Sequence, residues 1–173
     1  ELGGKTYIRV VDYKTGSKKF DLREVYYGLD CQMLLYLFTL ERNGGHLFSQ
    51  GTAAGVEYLW ADPAPENIIR PKTDDAEPLQ AQNYPLEGLL LDEPSIYHAM
   101  DTRGTGAFVP LSFSAKTGEP TAQSAKARLA DREKFNRIRD HLDGMLTDMA
   151  KNLYSGEIDA APLVPNAGKS PCL

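Results

Sequence analysis

The first part of the chain alternates between strand-like and helix-like patterns, and this alternation restricts the fold more than any other feature. Residues 5–11 are rich in β-branched and aromatic side chains, which predicts a strand. Residues 25–40 carry apolar side chains at three- and four-residue spacing, which predicts an amphipathic helix, and residues 55–61 predict another strand. Strand, helix and strand in succession are typical of an α/β fold. We therefore expect a small mixed sheet flanked by helices.

The rest of the chain predicts a long loop, a hairpin and a long helix. Residues 62–86 hold prolines and acids without periodicity, which predicts a surface loop. Residues 108–114, followed by a turn at 116–118, predict an exposed hairpin. Residues 124–154 predict one continuous amphipathic helix that Gly156 caps.

Length and composition place the chain among soluble proteins of one domain. Its 173 residues suffice for a sizeable core, and 42% hydrophobic with 25% charged residues argues against disorder. No apolar run approaches the roughly 20 residues that a membrane span needs. Two cysteines, Cys31 and Cys172, cannot form a disulfide framework, which favours a cytoplasmic protein. A first residue other than Met and an end just after a cysteine suggest a fragment.

The charge of the chain is unevenly distributed. The formal net charge is −5, but residues 102–140 hold eight basic and four acidic residues, whereas residues 41–101 hold three basic and eleven acidic ones. A basic face could attract phosphates although the whole protein is acidic. An ordinary solvated helix explains the same residues, and the pattern alone favours this second interpretation.

Asp12 and Lys14 form the first candidate site. They stand two positions apart at the end of the first predicted strand, so their side chains share one face of the sheet. A carboxylate there can bind a hard divalent cation, and an ammonium beside it can orient a water or stabilise charge on a phosphate. A tripeptide of this kind is more often a surface ion pair, so alone it is weak evidence.

Gln32 and Tyr36 form the second candidate pair. They are four positions apart on the predicted helix, so they face the same way. We place Gln32 on the inner side of this helix, where a polar side chain needs a partner. By itself such a pair is common on helices and indicates no function. The apolar stripe of the helix consists of Leu29, Met33, Tyr36, Leu37 and Leu40.

Together, the two pairs carry a resemblance to a known family. Residues 10–16, Val-Val-Asp-Tyr-Lys-Thr-Gly, and residues 28–36, Gly-Leu-Asp-Cys-Gln-Met-Leu-Leu-Tyr, resemble the nuclease motifs of the RecB-like branch of the PD-(D/E)XK superfamily. More narrowly, the sequence resembles the AddB family, the helicase/deoxyribonuclease B subunits of bacterial recombinational repair complexes. The resemblance spans most of the chain, and its specificity rests on residues 10–36. It implies a restriction-endonuclease-like α/β fold that is incomplete at its N-terminal edge.

The resemblance also implies an activity and a role for each candidate residue. The parent protein would be a Mg²⁺-dependent exonuclease that degrades single strands of DNA at double-strand breaks, fed by an AddA-like helicase subunit. Asp12 and the backbone carbonyl of Tyr13 would bind the metal, and Lys14 would position the attacking water. Gln32 and Tyr36 match a Gln-x-x-x-Tyr element that supports the active site and the DNA strand.

Two departures from the family pattern limit what this chain is expected to do. The family carries a second catalytic Asp in a Gly-x-x-Asp-Arg motif on the preceding strand, and no such motif exists here. Cys172 matches the start of a cysteine cluster that holds a [4Fe–4S] centre in the family, but such a centre needs about four ligands. We expect residues 1–159 to form a partial nuclease domain, residues 160–173 to form a Pro-rich tail, and the piece alone to be inactive.

A nuclease-like scaffold that only binds DNA or braces a partner subunit is the alternative interpretation. The survival of both candidate pairs favours the enzyme, because a decayed site has no need of that set.

Overall fold

A four-stranded sheet with helices on both faces makes up the part of the chain that the computed structural model describes, namely residues 1–16, 19–47, 50–60 and 86–159. The loop expected at 62–86 and the tail at 160–173 lie outside this part, apart from Leu86. The strands are β1 (Thr6–Lys14), β2 (Gly51–Trp60), β3 (Leu86–Leu91) and β4 (Leu129–Ala130). The helices are α1 (Leu22–Tyr26), α2 (Gln32–Asn43), α3 (Pro94–Met100), α4 (Ala122–Arg128) and α5 (Arg132–Ser155).

The sheet is mixed, as the sequence predicts. Its strand order is β1-β2-β3-β4, with β1 parallel to β2, β2 antiparallel to β3, and β3 parallel to β4. β1 therefore lies at an edge of the sheet within the described residues. Gly3 and Gly4 form a turn before β1, since both glycines have positive φ and Leu2 pairs with Lys5. The α/β fold with a mixed sheet agrees with the expected architecture.

The two faces of the sheet pack against different helices. Ile8 on β1 and Val56 on β2 point into the larger core, which contains Leu34 of α2 and Phe135 of α5. We call this side the α2–α5 face. The opposite side, the α3–α4 face, carries the smaller core around Leu90. Because side chains alternate along a strand, the even-numbered residues of β1 share the α2–α5 face with Ile8.

The prediction of one helix over residues 25–40 is wrong, because the structure has two helices there. α1 begins at the N-cap Asp21, whose side chain accepts a hydrogen bond from the backbone N–H of Arg23. The chain then turns at Gly28 and Asp30, which have φ values of 82° and 54°. Both lie in the left-handed region, which an α-helix cannot contain. α2 starts afterwards, at Gln32.

The continuous helix expected over residues 124–154 is also wrong. α4 ends at Arg128, and the next two residues pair with β3 as β4. Asp131 then acts as the N-cap of α5, and its side chain accepts a hydrogen bond from the backbone N–H of Lys134 at 2.7 Å. The predicted cap at the other end is confirmed, because Gly156 has a φ of 79° and its N–H bonds back into the last turn.

The hairpin expected after residue 108 is present in outline. Phe113 and Pro120 form an antiparallel bridge, and Gly118 adopts a φ of 73° in the turn between them. This hairpin packs beside α4 on the α3–α4 face, because Phe113 contacts the smaller core.

Candidate active site

Asp12 and Lys14 lie together on the α2–α5 face near the end of β1. Nζ of Lys14 is 2.7 Å from Oδ2 of Asp12, and each side chain is 33% exposed. The shared face that the sequence predicts is therefore confirmed. Partial exposure leaves both groups accessible to a ligand while the strand fixes their backbone.

Tyr58 of β2 lies next to this pair, because it is opposite Asp12 in the parallel register of β1 and β2. Tyr58 is 3% exposed and belongs to the larger core. The ammonium of Lys14 lies 5.4 Å from the centre of the Tyr58 ring, within the range of a cation–π contact. Lys14 thus has two partners, a carboxylate beside it and an aromatic face.

Acidic side chains from β1, α1 and the α1–α2 connection act on Tyr58. Burial raises the pKa of Tyr58 to about 12, and the negative charges of Asp30, Asp12 and Glu24 add to this effect. Val25 and Cys31, which flank the α1–α2 connection, belong to the same core cluster as Tyr58. The connection therefore packs on the α2–α5 face.

Gln32 and Tyr36 lie on the first turns of α2 and contact each other. Nε2 of Gln32 donates a hydrogen bond to the hydroxyl of Tyr36 at 3.0 Å. The expected inward position of Gln32 is wrong, since both side chains are exposed, and Tyr36 is not part of the buried stripe. The buried residues of α2 are Met33, Leu34, Leu37 and Phe38. The polar pair therefore faces solvent, where a ligand could reach it.

The direction of α2 brings Gln32 to the same end of the molecule as Lys14. β1 and β2 are parallel, and α2 follows β1 and precedes β2 in the chain. Near the end of α2, Glu41 accepts a hydrogen bond from the N–H of Ala53 near the start of β2. α2 therefore runs against the two parallel strands, and its first turn lies where they finish. The structure brings each candidate pair together and places the two pairs at one end of the sheet.

Asp12 offers part of a site for a hard cation. In the described ranges, no three side chains of His, Cys, Asp or Glu are grouped so that they could hold a metal ion. Mg²⁺ nevertheless needs only one or two carboxylates, because it keeps several waters and binds substrate phosphates. The partly exposed carboxylate of Asp12 fits such a role.

Cys31 has the environment of a buried structural thiol. Its Sγ lies 3.3 Å from the carbonyl oxygen of Leu29, and burial raises its pKa. A metal or cluster ligand must be a thiolate, which this environment disfavours. Cys172, the expected cluster ligand, lies outside the described residues.

Half of the basic residues in segment 102–140 pair with carboxylates. Four of its arginines form ion pairs with carboxylates, which favours the interpretation as an ordinary helix surface. The pairs are Arg128 with Glu87, Arg132 with Glu93, Arg137 with Glu133, and Arg139 with Glu41.

The family follows from comparison with known sequences. The profile of the PD-(D/E)XK nuclease superfamily matches residues 2–172. The chain belongs to this superfamily. The mixed sheet, with Asp12 and Lys14 near the end of one strand, is consistent with the restriction-endonuclease-like α/β fold of PD-(D/E)XK nucleases.

Three relatives that are similar in sequence to this chain carry the same name. The B subunit of the ATP-dependent helicase/deoxyribonuclease from Clostridium perfringens is 33% identical over 173 residues, which cover 95% of this chain and 14% of that protein. The protein of the same name from a Thermoanaerobacter species is 32% identical over 167 residues, 94% of this chain and 14% of that protein. The one from Clostridium botulinum strain Loch Maree is 29% identical over 171 residues, 96% of this chain and 15% of that protein. The chain thus spans about one seventh of the length of these relatives.

The described helices contain no candidate for a membrane span. None of them combines the necessary length with sufficient apolar character.

Proposed function

We propose that this PD-(D/E)XK chain is the nuclease part of a helicase–deoxyribonuclease B subunit and that it hydrolyses phosphodiester bonds of DNA. The observation that carries the proposal is the contact between Asp12 and Lys14. A carboxylate and an ammonium 2.7 Å apart, one-third exposed near the end of a strand, can address a phosphate from one side. The names of the relatives support the assignment to a helicase/deoxyribonuclease. We propose that the parent protein degrades DNA exonucleolytically during recombinational repair.

Asp12 and the backbone carbonyl of Tyr13 would hold Mg²⁺ in this proposal. Both are hard oxygen ligands of the type that Mg²⁺ prefers. When bound, the ion polarises a phosphoryl oxygen and offsets the charge that develops on it. Tyr13 lies in β1 next to Asp12, so its backbone is held by the pairing with Leu59 of β2.

Lys14 supplies the chemistry that the chain itself can perform. Its ammonium has three N–H donors, of which one is directed to Asp12. The others can hold the attacking water and stabilise negative charge on the phosphate as the water adds. Because Asp12 and Tyr58 both restrain Lys14, this donor is held in place before substrate binds.

Gln32 and Tyr36 would hold the DNA strand beside this centre. Their hydrogen bond of 3.0 Å orients two exposed polar groups at the start of α2. An amide and a phenol can donate to phosphate oxygens, and the ring of Tyr36, 53% exposed, can stack on a base. We propose that the substrate is a single strand delivered by an AddA-like helicase subunit, in the cytoplasm of a bacterium.

The chain alone is proposed to be inactive. Asp12 is a single carboxylate, and the family's second catalytic Asp has no counterpart in this sequence. We assign residues 1–159 to the partial nuclease domain and residues 160–173 to a Pro-rich tail that leads to a truncated iron–sulfur cysteine cluster. The residues present do not fit a [4Fe–4S] centre, which needs about four thiolates, because Cys31 is buried and only Cys172 remains.

A non-catalytic scaffold is the second candidate function. Such a scaffold would bind DNA or a partner subunit without cleaving the strand.

Metal binding and cleavage by Asp12→Asn in the complete B subunit test the proposed function. We expect wild-type protein to degrade single-stranded DNA only with Mg²⁺, and Asp12→Asn to lose both cleavage and the binding of Mn²⁺ detected by electron paramagnetic resonance. Unchanged cleavage in Asp12→Asn would contradict the proposal. Mg²⁺-dependent cleavage by the 173-residue chain alone would contradict its proposed inactivity.

A further inference from the structure

Tyr58 occupies an unusual place for a core residue. It is almost completely buried, yet its ring carries a charged group, the ammonium of Lys14, at 5.4 Å from the ring centre. The same ammonium is 2.7 Å from Asp12. The buried Tyr58 thus helps to hold Lys14, the residue that we propose positions the attacking water.

The hydroxyl group of Tyr58 does not ionise. Its high pKa, caused by burial and by the charges of Asp30, Asp12 and Glu24, keeps the hydroxyl protonated at all physiological pH values. Tyr58 therefore acts on Lys14 through the neutral ring, since a phenolate does not form.

An ion pair alone would hold Lys14 poorly. The ammonium sits on a flexible four-carbon stem, and the side chain is 33% exposed, so the attraction to Asp12 is weakened by solvent. The aromatic face adds a second restraint from a different direction, and it remains when the Asp12 carboxylate is shared with a cation. The ring is fixed by the core, so the restraint is preorganised.

We propose that Tyr58 is a positioning residue for the reaction, whose ring face holds the ammonium of Lys14 at the catalytic end of β1. This inference rests on the proposed function, because it concerns the rate of the reaction assigned to Lys14. The hydroxyl is not needed for this role, so phenylalanine should replace tyrosine. A leucine at this position should not, because it fills space without offering a π face.

The first test measures the contact itself in the 173-residue chain without metal. The ε-methylene protons of Lys14 should show an upfield NMR shift from the ring current of Tyr58. This shift should persist in Tyr58→Phe and disappear in Tyr58→Leu. Persistence of the shift in Tyr58→Leu would overturn the assignment of the contact.

The second test measures turnover in the complete B subunit with its helicase partner. We expect Tyr58→Phe to keep the wild-type kcat, and Tyr58→Leu to lose about tenfold in kcat with little change in KM, the size of effect that a lost cation–π contact gives. Wild-type kcat in a folded Tyr58→Leu variant, or an equal loss in Tyr58→Phe, would overturn the inference. Absence of metal-dependent cleavage by the wild type would instead overturn the proposed function, and the NMR result would be unaffected.

A fluorinated series guards against a folding defect in Tyr58→Leu. Fluorine atoms withdraw electron density from the face of a phenylalanine at position 58 but hardly change its shape. If the ring face positions Lys14, kcat should fall stepwise with each added fluorine at constant Tm. A kcat that is independent of fluorination would overturn the proposal.

Discussion

Nη1 of Arg9 lies 2.8 Å from Oε2 of Glu57. This ion pair joins β1 to β2 on the α3–α4 face of the sheet, whereas Asp12 lies on the other face. Arg9 also donates a hydrogen bond to the carbonyl oxygen of Phe108 at 2.6 Å. Glu57 is 2% exposed, and its Oε1 is buried without a hydrogen-bond partner in the described structure. Arg9 therefore pairs with only one of the two carboxylate oxygens of the buried Glu57.

Stability should depend on the protonation of Glu57. Burial raises the pKa of Glu57 to about 7, although the charge of Arg9 acts in the opposite direction. In the unfolded chain the group titrates near 4.5. Between these values the unfolded chain releases a proton that the folded protein keeps, so the free energy of unfolding should fall as pH rises from about 4.5 to about 7, by up to about 3 kcal/mol. Urea unfolding across this range measures the fall.

Two variants separate this effect from other titrations. Glu57→Gln cannot titrate, so its stability should lack this fall between pH 4.5 and 7. Glu133→Gln, an exposed carboxylate on α5, should behave as the wild type. If wild type and Glu57→Gln show the same slope, the buried carboxyl of Glu57 does not set the pH dependence.

Gly88 should tolerate no side chain. It lies opposite Glu57 in β3, and a Cβ atom there would be 2.1 Å from the carbonyl oxygen of Val56. Gly88→Ala should lower the free energy of unfolding by at least about 2 kcal/mol, because backbone must move to accommodate the methyl group. Gly144→Ala is the matched control: it has open space on α5 and should raise stability by about 0.5–1 kcal/mol. Equal effects in thermal unfolding would contradict the crowding at Gly88.

Asp131 should stabilise α5 as its N-cap. The side chain accepts the hydrogen bond from the N–H of Lys134, which would otherwise be unsatisfied. Asp131→Ala should cost about 1 kcal/mol of stability, and Asp131→Asn should restore most of it because asparagine caps equally well. Chemical denaturation distinguishes the two. A loss in Asp131→Asn as large as in Asp131→Ala would show that capping is not the reason.

The sequence predicts the β–α–β order and the shared face of Asp12 and Lys14, because both follow from local periodicity. The division of the predicted long helix was not recoverable in this way. Leucine and alanine are both strong helix formers, and only pairing with β3 makes Leu129 and Ala130 a strand. Asp131 is the one local signal of a new helix start.

The contact between Tyr58 and Lys14 depends on the parallel register of β1 and β2, which no local pattern contains. The sequence indicates only an aromatic residue on a buried strand. The outward position of Gln32 was likewise missed, since the turn at Gly28 and Asp30 changes where α2 begins and which side it buries. Gly28 and Asp30, two positions apart in the sequence, were the available signal for that turn.

Gln32 and Tyr36 should affect DNA degradation without affecting stability. Both are exposed, so Gln32→Ala and Tyr36→Phe should leave Tm within about 2 °C of the wild type. In the complete protein, each should reduce the rate of single-strand degradation by about tenfold, the size of one lost strand contact. Because the two side chains form one hydrogen-bonded unit, the double variant should be no slower than the slower single variant. Additive losses would contradict a joint role.

The central claim is that Lys14 takes part in the hydrolysis of DNA. The most direct test is the rate of Mg²⁺-dependent degradation of single-stranded DNA by the complete B subunit with its helicase partner, in wild type, Lys14→Ala and the exposed control Lys116→Ala. We predict that Lys14→Ala loses at least about 100-fold in rate, as expected when a donor to the developing charge is removed, while Lys116→Ala keeps the wild-type rate. Equal rates for all three proteins would contradict the account.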